Sequence, residues 1–322
     1  MGENDEQNGD GFSSAGPVLA RFERPRSETP ARLAFVTDIH LTPTETGTWK
    51  LFHRTEERLR TAVDDVNDRD VDFVVFGGDL GRDGYPAEFD AFERITDELE
   101  PPSAAIPGNH DVQKASTDHN PLSLSQFAQR FGAGEYPFVR SVGDVDVVGL
   151  NSASMPDGSL ADEWGGAVSE EQLRWLAERL PGLSAPVVVL HHTLWPQPEH
   201  VDAYPWSWFS VDNREEIVDV LESGDVSLVL SGHHHLPSVT ESAVPEVVAP
   251  AVCSFPQSYL LLQITSTGTT IRLVPLADRS GMAEAWMSGM NGDPDGKAIV
   301  ELASERLRSL PLVDRGFDDR RG

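Results

Sequence analysis

The chain of 322 residues contains little cysteine and little lysine. Its only cysteine, Cys253, excludes an intramolecular disulfide and a cysteine-based zinc site. The apolar neighbours of Cys253 predict a small buried side chain. Only three lysines, Lys50, Lys114 and Lys297, occur among 25 basic residues, and 53 acidic residues bring the formal charge to −28. Because DNA, RNA and anionic membranes repel such a surface, we expect neither a nucleic-acid partner nor a membrane partner.

Long apolar runs are also missing. No run approaches the roughly 20 residues that a membrane-spanning helix requires. The first ten residues are polar and acidic and lack the basic and apolar regions of a secretory signal, so we expect a soluble cytoplasmic protein. A strongly acidic surface with almost no lysine is typical of proteins from a salt-rich cytoplasm, and we interpret the chain as halophilic. A hydrophobic fraction of 39%, with 7 Trp and 14 Phe, suffices for a large core and excludes disorder for most of the chain.

Composition divides the chain into three parts. Residues 1–30 are rich in Gly, Ser, Pro and Glu and predict a disordered acidic tail. Residues 31–276 alternate short apolar runs with segments of helical spacing, and predict a single α/β domain that ends in a strand-rich part. Residues 277–322 are polar with one weak helix over 298–307, and are interpreted as a C-terminal extension.

Five apolar runs that predict buried strands each end in a polar cluster. The clusters are Asp38 with His40, Asp79, Asn109 with His110 and Asp111, His191 with His192, and His233 with His235. Ligand sites in α/β sheets form where the carboxyl ends of the strands converge, so these side chains are expected to meet in space. All of them carry nitrogen or oxygen donors that suit divalent ions such as Mn²⁺, iron or Zn²⁺.

Taken singly, each cluster is weak evidence. A lone histidine at a strand end is more often a structural residue, and an aspartate there is more often a helix cap. The run Gly232-His233-His234-His235 is sharper, because alternate residues of an extended segment face the same side. That reasoning predicts His233 and His235 on one side and His234 on the other. Five clusters in order, each after a buried strand, favour a metal site.

The ordered motifs resemble those of the calcineurin-like metallophosphoesterase superfamily. Its pattern is D-x-H, G-D, G-N-H-[DE], a strand-end H and G-H-x-H. The corresponding residues are Asp38 to His40, Gly78-Asp79, Gly108 to Asp111, His191, and Gly232 to His235. The resemblance covers about residues 31–276 and leaves no motif missing or substituted. Residues 166–180 (GAVSEEQLRWLAERL) also resemble a helix of the cyclic-nucleotide-phosphodiesterase-like (class III) branch.

This resemblance implies a fold, two divalent metal ions and roles for the motif residues. The implied fold is a four-layer α/β (α+β) sandwich of two mixed sheets flanked by helices. The implied ligands are Asp38, His40, Asp79 and His235 for one ion, and Asp79, Asn109, His191 and His233 for the other. His191 is preferred to His192 because it directly follows the strand, and Asp79 bridges both ions.

The same resemblance implies a reaction. Manganese or iron ions, with zinc as an alternative, generate a bridging hydroxide that attacks phosphorus. His110, together with Asn109, contacts the phosphate or the leaving group. Asp111 orients His110 or supports the ligands. These assignments make His110 and Asp111 the candidate catalytic residues.

The substrate is less readable. Trp195, Tyr204, Trp206 and Trp208 follow the His191 strand, and their rings either stack on a nucleobase or pack a long loop, with packing favoured. Trp195 is retained as a candidate substrate-binding residue. The leading hypothesis is a hydrolase of small phosphodiesters such as 3′,5′-cyclic nucleotides. The alternatives are a phosphomonoesterase or nucleotidase, a non-catalytic scaffold of the same fold, and a DNA nuclease that the acidic charge disfavours. The sequence leaves open whether the protein is a monomer or a homodimer.

Overall fold

A computed structural model of the protein describes residues 16–161, 164–197 and 209–316. The strands are β1 (Val18–Phe22), β2 (Ala31–Val36), β3 (Phe73–Phe76), β4 (Ser103–Ala105), β5 (Phe138–Val142), β6 (Val145–Gly149), β7 (Val187–Val189), β8 (Leu228–Ser231), β9 (Ser238–Thr240), β10 (Glu246–Val248), β11 (Ser258–Thr265), β12 (Gly268–Pro275) and β13 (Val313–Asp314). The helices are α1 (Thr55–Asn67), α2 (Pro86–Thr96), α3 (Leu124–Arg130), α4 (Glu170–Arg179), α5 (Arg214–Ser223), α6 (Arg279–Met290) and α7 (Pro294–Arg308). None of the helices in these ranges combines the length and apolarity needed to cross a bilayer.

The strands form two mixed sheets. The first has the order β13-β1-β12-β11-β2-β3-β4, and the second has the order β5-β6-β7-β8-β10-β9. Within the first sheet β2, β3 and β4 are parallel neighbours, and β11 joins β2 antiparallel. Within the second, β6, β7, β8 and β10 are parallel, with antiparallel β5 and β9 at the edges. Parallel neighbours bring the carboxyl ends of their strands to one edge, which is where the predicted site residues follow.

Side chains that alternate between the two faces of each strand form three apolar layers: one between the sheets and one between each sheet and its helices. In β2, Leu33 and Phe35 lie in the core between the two sheets, whereas Ala34 and Val36 pack with residues of α1, α2 and α3 on the outer face. The second sheet behaves alike, with residues of β6, β7 and β8 divided between the central core and a cluster under α4 and α5. Side chains of a strand point alternately to opposite faces, so strands buried on both faces read as continuous apolar runs. The predicted four-layer sandwich of two mixed sheets with flanking helices is confirmed.

The N-terminal segment departs from its prediction. Residues 16–30, expected to belong to a disordered tail, include β1, which pairs antiparallel with β12 and parallel with β13. The prediction is therefore wrong for residues 16–30, while residues 1–15 lie outside the described ranges. β1 is only five residues long and follows Gly and Pro, so its sequence gives a weak strand signal; pairing with β12 stabilises it.

The C-terminal segment forms two helices where one weak helix was expected. Helix α7 extends the predicted helix in both directions, and α6 precedes it. Residues of both helices form an apolar cluster with Leu51, Leu236 and Phe255, so this segment packs against the sandwich. Helix α6 lacks a regular apolar stripe, which explains why its pattern was not recognised. The boundaries at residues 31 and 276 stay a prediction.

Trp49 is wedged against the start of α7. A Cβ atom built on Gly296 would lie 2.4 Å from Cγ of Trp49, and one built on Gly292 would lie 3.0 Å from its Cβ. Asp293 caps the helix by accepting a hydrogen bond from the Gly296 amide at 2.9 Å. The two glycines therefore give the indole the space that it occupies, and they tie the C-terminal helices to the loop before α1.

Replacing Gly296 by alanine is expected to lower the free energy of unfolding. Inside a helix alanine is normally favoured over glycine by about 1 kcal/mol. Overpacking against Trp49 costs about 1–3 kcal/mol and reverses that sign. Urea denaturation measures the difference. Gly182→Ala is the control, because a Cβ at Gly182 meets no atom within 4 Å; a Gly296→Ala variant as stable as the wild type would contradict the tight contact.

Candidate metal centre

The five predicted clusters meet at the edge where β2, β3, β4, β7 and β8 end. Backbone hydrogen bonds hold the first two loops together: the Asp38 amide donates to the Gly78 carbonyl at 3.0 Å, and the His40 amide donates to the Asp79 carbonyl at 2.8 Å. The two sheets are joined by His191, whose Nδ1 lies 2.8 Å from the carbonyl oxygen of Gly77. The site is therefore assembled from loops of both sheets, spread over almost 200 residues of sequence.

Five predicted metal ligands have a left-handed backbone. The φ angles are 54° at Asp38, 47° at His40, 53° at Asp79, 63° at His233 and 57° at His235. For residues other than glycine this conformation costs roughly 1–2 kcal/mol each, and it persists where the surrounding structure imposes it, as at functional sites.

The left-handed turns correct the reasoning about the histidine run. His233 and His235 both reach the site, but the segment is not extended, so alternation along a strand is the wrong reason. His234 lies apart from the site cluster, and its ring centroid lies 5.1 Å from that of Phe209.

The carboxylate of Asp79 lies between two histidines. Its Oδ2 is 3.4 Å from Nε2 of His40 and 3.5 Å from Nε2 of His191. Its Oδ1 accepts a hydrogen bond from the His110 amide at 3.0 Å. Asp79 is thus the side chain that both halves of the site share.

Asp38 and His235 complete one half. Nε2 of His235 lies 3.2 Å from Oδ1 of Asp38 and 3.3 Å from Nε2 of His40. Outer contacts fix the ring of His235, whose Nδ1 lies 3.1 Å from Oγ of Ser254. Such outer partners orient an imidazole so that its other nitrogen faces a metal.

Several buried polar atoms of the other half have no hydrogen-bond partner among the described residues. They are Oδ1 and Nδ2 of Asn109, Nε2 of His191 and Nε2 of His233. A buried polar atom without a partner costs about 1–3 kcal/mol, so these atoms call for a ligand. Donor atoms of Asp79, His191 and His233 lie within 4.8 Å of one another, as do those of Asp79, His40 and His110. The residues present therefore fit a pair of divalent ions with Asp79 between them.

Electrostatics agrees with a cation site. Burial opposes the charged form of Asp79, but His191, His110 and His40 outweigh it and hold its pKa well below the usual range. Burial lowers the pKa of His40 and of His233, which favours the neutral imidazole that binds metal. Burial also opposes protonation of His191, yet Asp79 raises its pKa to about 9, so a metal must displace that proton.

His110 and Asp111 have separate tasks. His110 is half-buried, its Nδ1 contacts the carbonyl oxygen of Arg82, and its ring centroid lies 4.7 Å from that of His40. Of the two roles expected for Asp111, its contacts favour support of the ligand loops over orientation of His110, and its catalytic role stays a prediction. The Asp111 carboxylate accepts hydrogen bonds from the amides of Leu80, Gly81 and Gly108, so it fastens the Asp79 loop to the Asn109 loop.

The sequence of the chain matches a known protein family over most of the sandwich. The model of the calcineurin-like phosphoesterases matches residues 31–237, more than half of the chain. The chain belongs to the calcineurin-like phosphoesterase family. It is a metal-dependent phosphoesterase, and the dinuclear metal centre of this family accounts for the two donor groups around Asp79.

Relatives of this phosphoesterase include two cyanobacterial proteins. A "Probable cyclic nucleotide phosphodiesterase" of Synechococcus sp. is 27% identical over 209 residues, covering 63% of this chain and 72% of the relative. A "3',5'-cyclic-nucleotide phosphodiesterase" of Nostoc sp. is 26% identical over 211 residues, with 64% and 72% covered. The solved structure of a dimetal phosphatase from Danio rerio superposes with a TM-score of 0.60 at 18% identity, covering 77% of this chain and 97% of that one. The last likeness shows the shared fold.

The structure separates the two adjacent histidines of the phosphoesterase. His191 faces Asp79, whereas His192 turns away: its Nδ1 lies 2.9 Å from Oγ of Ser152 and its Nε2 lies 2.9 Å from the carbonyl oxygen of Trp164. With both ring nitrogens of His192 engaged, His191 is the residue placed for metal binding. Its role as a ligand stays a prediction.

Of the four aromatic residues expected after His191, the structure describes only Trp195. The Trp195 indole donates to the carbonyl of Val244 at 3.2 Å, and Arg214 lies 5.5 Å from its ring centroid, so Trp195 packs on the helical side. Its substrate-binding role stays a prediction that none of these contacts supports. Tyr204, Trp206 and Trp208 lie outside the described residues.

Sequence reasoning missed four residues at or near the site. Phe209 lies with its ring centroid 4.6 Å from that of His233, and Trp49 lies 5.5 Å from His235. Lys50 places Nζ 3.3 Å from Nε2 of His40. Buried Glu246 accepts hydrogen bonds from the amides of Leu194 and Trp195 and from Oγ of Ser231, which holds the loop after His191. None of the four belongs to a recognisable motif, although the rarity of lysine was a usable signal for Lys50.

Asp111→Asn is expected to lower both the stability and the Mn²⁺ affinity of the phosphoesterase. An amide can accept through one oxygen only, so its NH₂ group must face one of the backbone N–H donors, at a cost of about 1–3 kcal/mol. Urea denaturation and Mn²⁺ titration by calorimetry measure the two effects.

Asp146→Asn provides the matched control. Like Asp111, Asp146 uses both carboxylate oxygens as hydrogen-bond acceptors: it accepts from Oγ of Ser141 and from the amide of Ser184. Asp146 lies in β6, however, and not in a loop of the metal centre. The control should lose stability while keeping its Mn²⁺ affinity. Equal Mn²⁺ affinity in both variants would refute the positioning role of Asp111.

Proposed function

We propose that the protein hydrolyses small phosphodiesters, with 3′,5′-cyclic nucleotides as the first substrate class to test. The observation that carries the proposal is the position of the Asp79 carboxylate between His40 and His191, together with the buried donor atoms of Asn109 and His233 that have no hydrogen-bond partner among the described residues. The substrate class is supported by the cyanobacterial relatives, whose names state cyclic nucleotides. The acidic surface favours a small substrate over a nucleic-acid polymer.

We propose the two ligand sets that the family resemblance implies, and the contacts around Asp79 and between Asp38 and His235 support them. Asp38, His40, Asp79 and His235 would hold one ion, and Asp79, Asn109, His191 and His233 would hold the other. Ions bound there supply a nucleophile derived from water near neutral pH and neutralise charge on the phosphoryl oxygens. We propose manganese or iron as the metal, with zinc as the alternative, because the donor set is mixed nitrogen and oxygen.

We propose that His110 acts on the leaving group. Its Nδ1 is engaged by the Arg82 carbonyl, which leaves Nε2 as the nitrogen able to hold or release a proton. Half-exposure keeps the ring accessible to a substrate while Asp79 anchors its backbone. We propose that His110 donates a proton, or a hydrogen bond, to the departing alkoxide.

A substrate panel tests the activity. The Mn²⁺-loaded protein, assayed at several KCl concentrations because of its acidic surface, should hydrolyse bis(4-nitrophenyl) phosphate and 3′,5′-cyclic AMP faster than 4-nitrophenyl phosphate. Preference for the monoester would assign the phosphomonoesterase or nucleotidase alternative. Failure to hydrolyse any of the three with bound metal would reject the proposal and favour a scaffold.

Two substitutions separate metal binding from proton transfer. Asp79→Ala should abolish both metal content and turnover, because the shared carboxylate is lost. His110→Ala should keep its metal but lose about 10²–10⁴-fold in kcat, the usual contribution of a general acid. Metal content by emission spectroscopy and kcat are compared with those of His53→Ala, which removes a histidine that pairs with Glu284 and belongs to neither proposed ligand set. Full activity of His110→Ala would remove His110 from the mechanism.

A further inference from the structure

Lys50 lies at the metal centre, although no motif and no ligand assignment includes it. Its Nζ is 3.3 Å from Nε2 of His40, the atom that also faces Asp79 and His235. Within the described part of the chain, the Lys50 ammonium forms no ion pair with a carboxylate. Lys297, by contrast, is 54% exposed on α7 and lies 3.8 Å from Glu301. In a protein with 53 acidic residues, a lysine without a carboxylate partner at this position calls for an explanation.

The backbone around Lys50 is held on both sides. Leu51 is fully buried, and its amide donates to the Cys253 carbonyl at 2.7 Å. Trp49 packs against Gly296 of α7 and lies beside the ring of His235. These two neighbours hold the backbone on either side of Lys50. The half-buried Lys50 therefore lies beside His40 because its neighbours are packed, and it is not a freely exposed surface residue.

The hydrogen bond to His40 and metal binding exclude each other. A ring nitrogen that binds a cation has used the lone pair that would accept a hydrogen bond from the ammonium. Asp38 and Asp79, the carboxylates of this half of the site, belong to the proposed ligand set. In the metal-loaded protein the ammonium therefore needs another acceptor close to the two ions.

We propose that Lys50 is a substrate-binding residue whose ammonium binds a non-bridging phosphate oxygen of the ester and of the phosphate product. This inference rests on the proposed phosphoesterase site, and it adds an attraction by Lys50 that is stronger for a dianionic phosphate, such as the product, than for a monoanionic diester. An ammonium is a compact point charge that binds phosphate without demanding a planar geometry. Nε2 of His40 can no longer accept a hydrogen bond from the Lys50 ammonium once it binds a metal ion. A phosphate oxygen can accept that hydrogen bond in its place.

A second lysine supports the same placement of positive charge. Lys114 follows His110 by four residues on the same loop and is half-buried. Two of the three lysines in the chain thus belong to loops of the metal centre.

The test measures phosphate binding to the full-length Mn²⁺-loaded protein. Inorganic phosphate is titrated by calorimetry at fixed ionic strength into the wild type, Lys50→Met, Lys50→Arg and Lys297→Met. Methionine keeps most of the side-chain length and removes the charge, and Lys297→Met changes the net charge equally at an exposed position. Loss of one charge-assisted hydrogen bond corresponds to roughly a 10- to 100-fold weaker Kd.

The expected result is a phosphate Kd at least about tenfold weaker for Lys50→Met, partly restored in Lys50→Arg, and within twofold of the wild type for Lys297→Met. Manganese content should be equal in all four proteins. Phosphate affinity of Lys50→Met equal to that of Lys297→Met would overturn the proposal. So would loss of manganese from Lys50→Met, which would assign Lys50 to the structure of the metal centre.

The charge preference is tested by kinetics. Lys50→Met should lose more kcat/KM for 4-nitrophenyl phosphate, a dianion, than for bis(4-nitrophenyl) phosphate, a monoanion. Equal losses would overturn the preference for two charges. If the wild type hydrolyses neither ester, the proposed function fails, whereas phosphate calorimetry still decides the role of Lys50.

Discussion

The carboxylate of Asp79 is the constraint on which the site depends. One of its oxygens faces both His40 and His191, so the donor groups from the two sheets are held around a single side chain. The other oxygen receives the His110 amide, which places the proposed acid relative to the same point. The loop of Asp79 is in turn tied to the Asn109 loop by buried Asp111. A buried negative charge without compensation is costly. The surrounding histidines reduce that cost here, and bound cations would remove it.

The two-sheet sandwich stabilises the strained turns that carry the site residues. Strands β2, β3, β7 and β8 are buried on both faces, and their apolar contacts stabilise the turns that follow them. Left-handed backbone at Asp38, His40, Asp79, His233 and His235 is strained, and isolated loops would relax it. Backbone hydrogen bonds between neighbouring loops, such as His40 to Asp79, prevent that relaxation. Rigidity of the site is therefore a property of the sheets beneath it.

Much of the fold and the residues of the candidate site could be predicted, because each motif directly follows an apolar run that only a buried strand explains. The remainder depends on tertiary contacts. β1 is too short to be recognised without β12 and β13, and α6 has no regular apolar face to read. Which of its two expected roles Asp111 has could not be decided from sequence, since its partners are backbone amides of another loop. His233 and His235 were grouped correctly for a wrong reason, because sequence spacing does not reveal a left-handed turn.

The distribution of charge explains how an acidic protein can handle a phosphate. At a net charge of −28 the surface repels anions over a distance that salt shortens to about 8 Å at physiological ionic strength. Attraction must then come from charges inside the pocket, where screening is weaker. Bound metal ions would provide one such source, and Lys50, whose Nζ lies 3.3 Å from Nε2 of His40, provides another. Several arginines pair with carboxylates elsewhere, as Arg130 does with Glu93. Two of the three lysines, Lys50 and Lys114, lie in loops of the site, where they add positive charge close to the position proposed for a small anion.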